Sequence, residues 1–299
     1  MCSIAERVKN VFDCFPYTAH PELNVIEKLT NEWLEKNIID EKLFTIFVKQ
    51  RVSLISAFMF PWAASAKCVS VNKILILATI VDDLFEDSKT ESRAKMLIHG
   101  FTDIVENDEI VVFSPDLWFE AALSNVWQDF VSESPVTWRK AFSKAISTLF
   151  ASFVEESKIK TVPTMNEYFA LRPISIAFNL PQLLIEYAKE NYLTDYQRCN
   201  IAIQTIQTTA NYIAVVLNDL YSFKREKMNE FNLIRVYMHR ENMNEDEAKI
   251  KVMECLEEKF QLYLKQMQMQ SLYPESIKWY LTYGNQLIRG SYDFYNVAP

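Results

Sequence analysis

Glycine is nearly absent from this sequence: Gly100, Gly284 and Gly290 are the only three among 299 residues. Glycine-rich phosphate loops, dinucleotide folds and turn-dense β-sandwiches all need more, so the shortage argues against each. Cysteine is sparse and odd in number; Cys2, Cys14, Cys68, Cys199 and Cys255 form no C-x-x-C pair, as expected of reduced thiols in an intracellular protein. His20, His99 and His239 show no metal-ligand spacing, which leaves zinc without a site, and no Ser-His-Asp arrangement can be read. Long apolar runs are missing as well. The longest is ILILA, or ILILATIV with one threonine, far short of the roughly 20 residues that span a bilayer. The opening MCSIAERVKNVFDCF carries charges where a secretory signal has an apolar core. A cytoplasmic protein without membrane insertion is the expectation. Positive charge is also short, 31 Lys plus Arg against 39 Asp plus Glu, and the net charge of -8 disfavours nucleic acid as a partner.

What is present favours long helices. With 49% hydrophobic and 13% aromatic residues the chain can bury a sizeable core. No repeat, low-complexity tract or Pro/Gly/Ser-rich linker divides it, so residues 1–299 are expected to form a single domain of all-α class. Segments 23–38 and 41–58 place apolar residues three and four apart and predict two outer amphipathic helices. Residues 73–87 differ: from Ile74 to Val81 only Thr79 is polar, which predicts a helix buried on every side. Further helices are predicted over 115–158, punctuated by Pro115 and Pro135, and over 245–270, ending before Pro274. A second buried helix is predicted over 201–226.

Two oxygen-rich clusters carry the chemistry. The first, VDDLFED at 81–87, sets Asp82, Asp83, Glu86 and Asp87 at a helix C-terminus, whose negative dipole end repels them unless a cation is near. Taken alone, the cluster reads equally as a solvated acidic turn. The second, VVLNDLYSFKRE at 215–226, spaces Asn218, Ser222 and Glu226 four apart, so three oxygens project from nearly one helix face toward one hard cation. If both clusters face one cavity, metal ions between them require a polyanion, and a diphosphate is the natural candidate. Gln204, Thr208, Asn211 and Val215 extend the same face, which predicts cavity lining or, alternatively, interhelical hydrogen bonds.

With these residues the chain resembles the microbial-type class I terpene synthases. Asn218, Asp219, Ser222 and Glu226 match the family's NDxxSxxxE metal motif letter for letter, and VDDLFED satisfies its aspartate-rich motif. In YFALRPIS, Arg172 stands where the family has its diphosphate-sensing arginine, with Tyr168 one turn upstream, and Ser175 and Ile176 fall at the linker and effector positions. FPYTAHP at 15–21 and FMFPWA at 58–63 resemble further landmarks. The resemblance implies a helical bundle around a central active-site cavity, three magnesium ions with manganese as an alternative, and a prenyl diphosphate substrate. Farnesyl diphosphate converted to a sesquiterpene is the expected reaction, with a geranylgeranyl or geranyl substrate as the alternative. Monomer and homodimer stay open.

Roles follow from the resemblance and from the chemistry. Magnesium takes one or two protein carboxylates plus phosphate oxygens. The implied metal set is Asp82, Asp83, Glu86, Asn218, Ser222 and Glu226, with Asp82 leading and Asp83 and Asp219 also anchoring neighbouring helices. Asp82, Arg172, Arg225 and Tyr295 form the catalytic set. Aromatic faces stabilise a carbocation as they do an ammonium ion, which makes Phe58, Phe60, Trp62, Phe85, Phe178 and Tyr212 candidates, each of which is also a plausible core residue. Ser175, Ile176 and Asn211 complete the substrate contacts. Two departures stand out. Phe294 precedes Tyr295 where the family has arginine, so Arg289 supplies the charge or closure relies on fewer donors. Arg225 replaces the usual lysine and keeps a phosphate donor. A chain-elongating prenyltransferase is also all-α, yet should carry a second DDxxD in place of NDLYS. A noncatalytic helical binding protein with solvated acidic clusters is the remaining alternative.

Overall fold

Short local signals start many of the helices. The computed structural model describes residues 3–85, 90–224 and 231–297, and among these every regular element is helical. Ser3 with Glu6, Thr164 with Glu167, Thr194 with Gln197 and Asn244 with Glu247 each form a reciprocal capping box. Each box satisfies backbone N–H groups that a helix leaves open at its first turn. The boxes open α1 (Ile4–Phe12), α9 (Met165–Ser175), α11 (Asp195–Arg198) and α14 (Glu245–Gln268). Between and around them run α2 (Leu23–Asn37), α3 (Glu41–Lys49), α4 (Ile55–Met59), α5 (Ser65–Phe85), α6 (Glu91–Asn107), α7 (Trp118–Glu133) and α8 (Val136–Lys158). The rest are α10 (Asn179–Lys189), α12 (Ile201–Ser222), α13 (Leu233–Arg240) and α15 (Glu275–Val297).

The two helices expected to be buried are central. In α5 both charged and apolar residues are enclosed from Lys67 to Val81, and in α12 nearly every position from Thr209 to Leu217 is buried. α5 packs on α2, α6, α7 and α10, and α12 on α9, α14 and α15. An apolar surface on all sides forces such a helix inward, because partial exposure would leave methylene groups in water at about 0.8 kcal/mol each. No described helix is long and apolar enough to cross a membrane.

One sequence expectation needs correction. Residues 41–58 are not one helix: α3 ends at Lys49, Arg51 adopts a left-handed backbone (φ 53°), and a 3-10 turn at Val52–Leu54 leads into α4. Apolar periodicity continues through the break, so it could not reveal it. The break is held from outside. Arg51 donates to Glu27 through Nε and Nη2, at 3.0 and 3.1 Å. Buried Asn72 of α5 accepts from the Ser56 N–H at 2.9 Å and donates to the Ser53 carbonyl at 2.6 Å.

α4 is also no outer helix. It lies beneath α15, and Gly290 is why the two backbones can meet: a Cβ there would sit 2.2 Å from the Phe58 carbonyl oxygen.

Candidate active site

α5 and α12 both end at the same cavity. Asp82 and Asp83 from the last turn of α5, and Asn218, Tyr221 and Ser222 from the last turns of α12, line one space of about 690 Å³. Two negative dipole ends and two carboxylates thus share one mouth, which attracts cations and repels a bare diphosphate. Arg172 of α9 lines the same mouth and supplies positive charge.

Asp219 and Asn218, adjacent in sequence, point to different tasks. Asp219 is fully buried and accepts from the Tyr168 hydroxyl, from Arg172 Nη2 at 3.1 Å and from the Leu233 N–H at 2.6 Å. It ties α9, α12 and α13 together. Burial and the neighbouring carboxylate push the Tyr168 hydroxyl well above the ordinary tyrosine range, so it stays a neutral donor. Asn218 faces the cavity; its Oδ1 accepts from Arg172 Nη2 at 2.8 Å and its Nδ2 donates to the Tyr295 hydroxyl at 2.7 Å. One turn on, the Ser222 hydroxyl is buried and has no hydrogen-bond partner among the described residues. A buried oxygen without a donor is uncommon unless an ion or water takes it. Its position beside Asn218 and across from Asp82 suits a hard cation that shares its other ligands with phosphate oxygens.

A break in the chain shapes the far wall. α9 contains Pro173 and ends where Ala177 turns left-handed (φ 61°), before α10 restarts. Ser175, Ile176, Ala177 and Phe178 are thereby presented to the cavity. The Ser175 hydroxyl, buried, also lacks a hydrogen-bond partner among the described residues. Leu149 and Phe153 of α8, Leu75, Ala78 and Thr79 of α5, and Val52, Ile55 and Met59 around α4 add an apolar lining. From α15 come Ser291, Phe294 and Tyr295. Burial, ahead of its other influences, pushes the Tyr221 hydroxyl up to about 12, so this mouth residue is neutral.

Other expected residues lie elsewhere. Phe58 sits under Gly290 with its ring 6.4 Å from Tyr17, and Phe60 is enclosed against Trp62, whose own ring packs on Tyr283. Phe85 stands behind the lining residue Phe153, with ring centres 6.2 Å apart. Asn211 hydrogen-bonds Asn179, and Tyr212 packs on Phe169 with the Lys259 ammonium 5.6 Å from its ring. None of these six touches the cavity, and Gln204 and Thr208 are exposed on the first turns of α12. The polar stripe lines the cavity only in its last turns, because the space covers one end of the helix. Arg289 does not replace the missing C-terminal arginine. It is buried away from the mouth, donating to Asp293 at 2.8 Å and to the carbonyls of Phe12 and Phe15 at 2.8 and 2.7 Å. Glu86, Arg225 and Glu226 lie outside the described residues.

Comparison with known proteins identifies this constellation. The model of terpene synthase family 2, C-terminal metal binding, matches residues 73–261, which spans both motifs and Arg172. The chain belongs to that family. It is a microbial-type class I terpene synthase by family and fold, and the matched region is described as metal-binding. Among curated relatives it is 22% identical over 247 residues to 10-epi-cubebol synthase of Sorangium cellulosum, covering 78% of each chain. The linalool/nerolidol synthase of Streptomyces clavuligerus, solved with 2-fluorogeranyl diphosphate, superposes with a TM-score of 0.83 at 17% identity. That match covers 94% of this chain and 96% of the other. Germacradien-4-ol synthase of Streptomyces citricolor superposes at 0.81 with 14% identity, covering 95% and 96%.

The sequence reading missed much of the lining. Tyr221 could have been found, since it stands inside the metal motif one residue before Ser222. Leu149, Phe153, Met59 and Ile55 carry no such mark, because an apolar side chain facing a cavity is the same in sequence as one facing a core.

Proposed function

We propose that the chain, residues 1–299 as one domain, is a magnesium-dependent terpene cyclase that ionises farnesyl diphosphate and closes the cation to a sesquiterpene. The observation that carries this reading is the convergence of Asp82, Asn218 and Ser222 with Arg172 on one largely apolar space. Asp82 on one side and Asn218 with Ser222 on the other would hold the divalent ions, with Asp83, Glu86 and Glu226 completing the set. When bound, the ions supply positive charge to a leaving diphosphate.

The chain's own residues do the rest. Arg172 can turn its guanidinium from Asn218 to a phosphate oxygen, and Tyr295, bonded to the same Asn218, can donate as well, with Arg225 as a further donor by its place in the motif, which stabilises charge as it forms. The allylic carbon–oxygen bond breaks with its electron pair remaining on the diphosphate. The hydrocarbon cation is then enclosed by Leu75, Leu149, Phe153 and Phe178, which exclude water and offer π faces. Loss of a proton from the cation gives a hydrocarbon; capture of a water followed by loss of one of its protons gives an alcohol.

Incubation with geranyl, farnesyl and geranylgeranyl diphosphates plus magnesium, followed by gas chromatography of the extract, tests the reading. A cyclic sesquiterpene from farnesyl diphosphate is expected. Elongated diphosphates on addition of isopentenyl diphosphate, or no diphosphate release from any substrate, would overturn it.

A further inference from the structure

Phe178 belongs to two cavities. It lines the large space described above and also a second, small one of about 20 Å³ enclosed by α10, α12, α14 and α15. No other described residue lines both. The small cavity lies farther from the diphosphate end. Along α12 its wall is Ala210, Gln207 and Ile206, and Ala210 is eight residues before Asn218, about 12 Å along the helix axis. Along α15 its wall is Leu287, Gly284 and Leu281, with Ser291 and Tyr295 of the large cavity following on the same helix. α10 contributes Leu180 and Pro181 to the first space and Gln182 and Ile185 to the second. Three helices thus run from one cavity to the other, and the Phe178 side chain stands between.

We propose that Phe178 is the chain-length stop of this enzyme, closing the hydrocarbon end of the cavity so that farnesyl is accommodated and a chain one isoprene unit longer is not. This rests on the function proposed above. The position follows from the backbone: the left-handed turn at Ala177 ends α9, and Phe178 at the start of α10 is buried, directed between the two spaces. The space behind suits a hydrocarbon. Its polar groups are satisfied within the wall: Tyr280 donates to the Gln182 carbonyl at 3.0 Å and accepts from Gln207 at 2.6 Å, and Tyr263 donates to Asn285 at 2.8 Å. An apolar chain entering there leaves these hydrogen bonds in place, and Ile185, Ile206, Leu281 and Leu287 meet it. A phenyl ring is slightly larger than an isoprene unit, so its removal joins the two spaces into one deeper by that unit.

The test compares diphosphate release from farnesyl and geranylgeranyl diphosphates by the wild-type protein and by Phe178→Ala, Phe178→Leu and the double variant Phe178→Ala with Ala210→Leu. In Phe178→Ala, the ratio of kcat/KM for geranylgeranyl over farnesyl diphosphate should rise about tenfold or more, since even one methylene in an apolar pocket is worth about that much. Phe178→Leu should shift it part of the way with less loss of packing. Ala210→Leu, filling the second cavity from its α12 wall, should bring the ratio back. An unchanged ratio in a folded Leu variant overturns the proposal, as does a wild-type protein that already uses geranylgeranyl diphosphate as well as farnesyl. Failure of the underlying function looks different: the wild-type protein then releases diphosphate from neither substrate, and the proposal falls with it.

Discussion

Arg172 and Asp219 bridge α9 and α12 through a contact of 3.1 Å between Nη2 and Oδ1, and the same nitrogen donates to Asn218 at 2.8 Å. Among the described residues the guanidinium meets the completely buried Asp219 carboxylate and the Asn218 amide oxygen that faces the cavity, with Glu156 Oε1 4.0 Å from its Nη1. The motif thereby divides its work: Asp219 positions the arginine, and Asn218 is the group that can exchange an arginine for a cation.

Asp219→Ala should therefore act on stability. It strands the Tyr168 hydroxyl, the Leu233 N–H and one side of Arg172 in a buried place, and removal of one partner of such a pair costs about 3–5 kcal/mol. Urea unfolding followed by circular dichroism should show the midpoint falling accordingly. A midpoint equal to wild type would mean that these donors find other partners.

Asp82→Ala and Asn218→Ala should act on turnover. Both residues line the open cavity, so the fold should survive, while kcat for diphosphate release drops by about 100-fold or more. Thermal melts alongside steady-state kinetics separate the two effects. Full activity in either variant contradicts the metal roles proposed for them.

Two glycines of α15 should respond in opposite directions. Gly290→Ala places a methyl 2.2 Å from the Phe58 carbonyl oxygen, which is backbone and cannot turn aside, and a loss above about 4 kcal/mol is expected. Gly284→Ala meets only the Tyr263 hydroxyl at 3.5 Å, an ordinary contact, and should stabilise the helix by up to about 1 kcal/mol. Melting temperatures of the pair decide the matter.

Alkaline pH should unfold the protein through its tyrosines. Burial raises the pKa of Tyr192 and Tyr221 from 10.0 to about 12, and raises those of Tyr168, Tyr187, Tyr263 and Tyr280 as well. The folded state thus holds phenolic protons more tightly than the unfolded state. Its stability is complete below pH 10 and declines as pH rises from about 10 through about 12. Denaturant midpoints measured across that range should fall, with tyrosinate absorbance appearing together with unfolding. Early titration of most tyrosines in a folded protein would contradict their burial.

The sequence by itself determined the helical class, the central placement of α5 and α12, and the residues that meet at the cavity mouth. It could do so because those features are periodic: a helix apolar on every side has to be interior, and oxygens spaced four apart share a face. Asn218 and Ser222 were legible for that reason, while Asp82 and Arg172 stood out through the motifs that the chain shares with the terpene synthases. Tertiary packing alone decided the rest. Phe58 and Phe60 became core while Phe153 and Phe178 became wall, since a phenyl ring carries no mark of whether its neighbour is a side chain or a space. Arg289 is held inward by the Phe12 and Phe15 carbonyls at the other end of the chain, and the break at Arg51 is held by Glu27 and Asn72, partners on α2 and α5. Such choices depend on contacts between residues far apart in the chain, which no local pattern encodes.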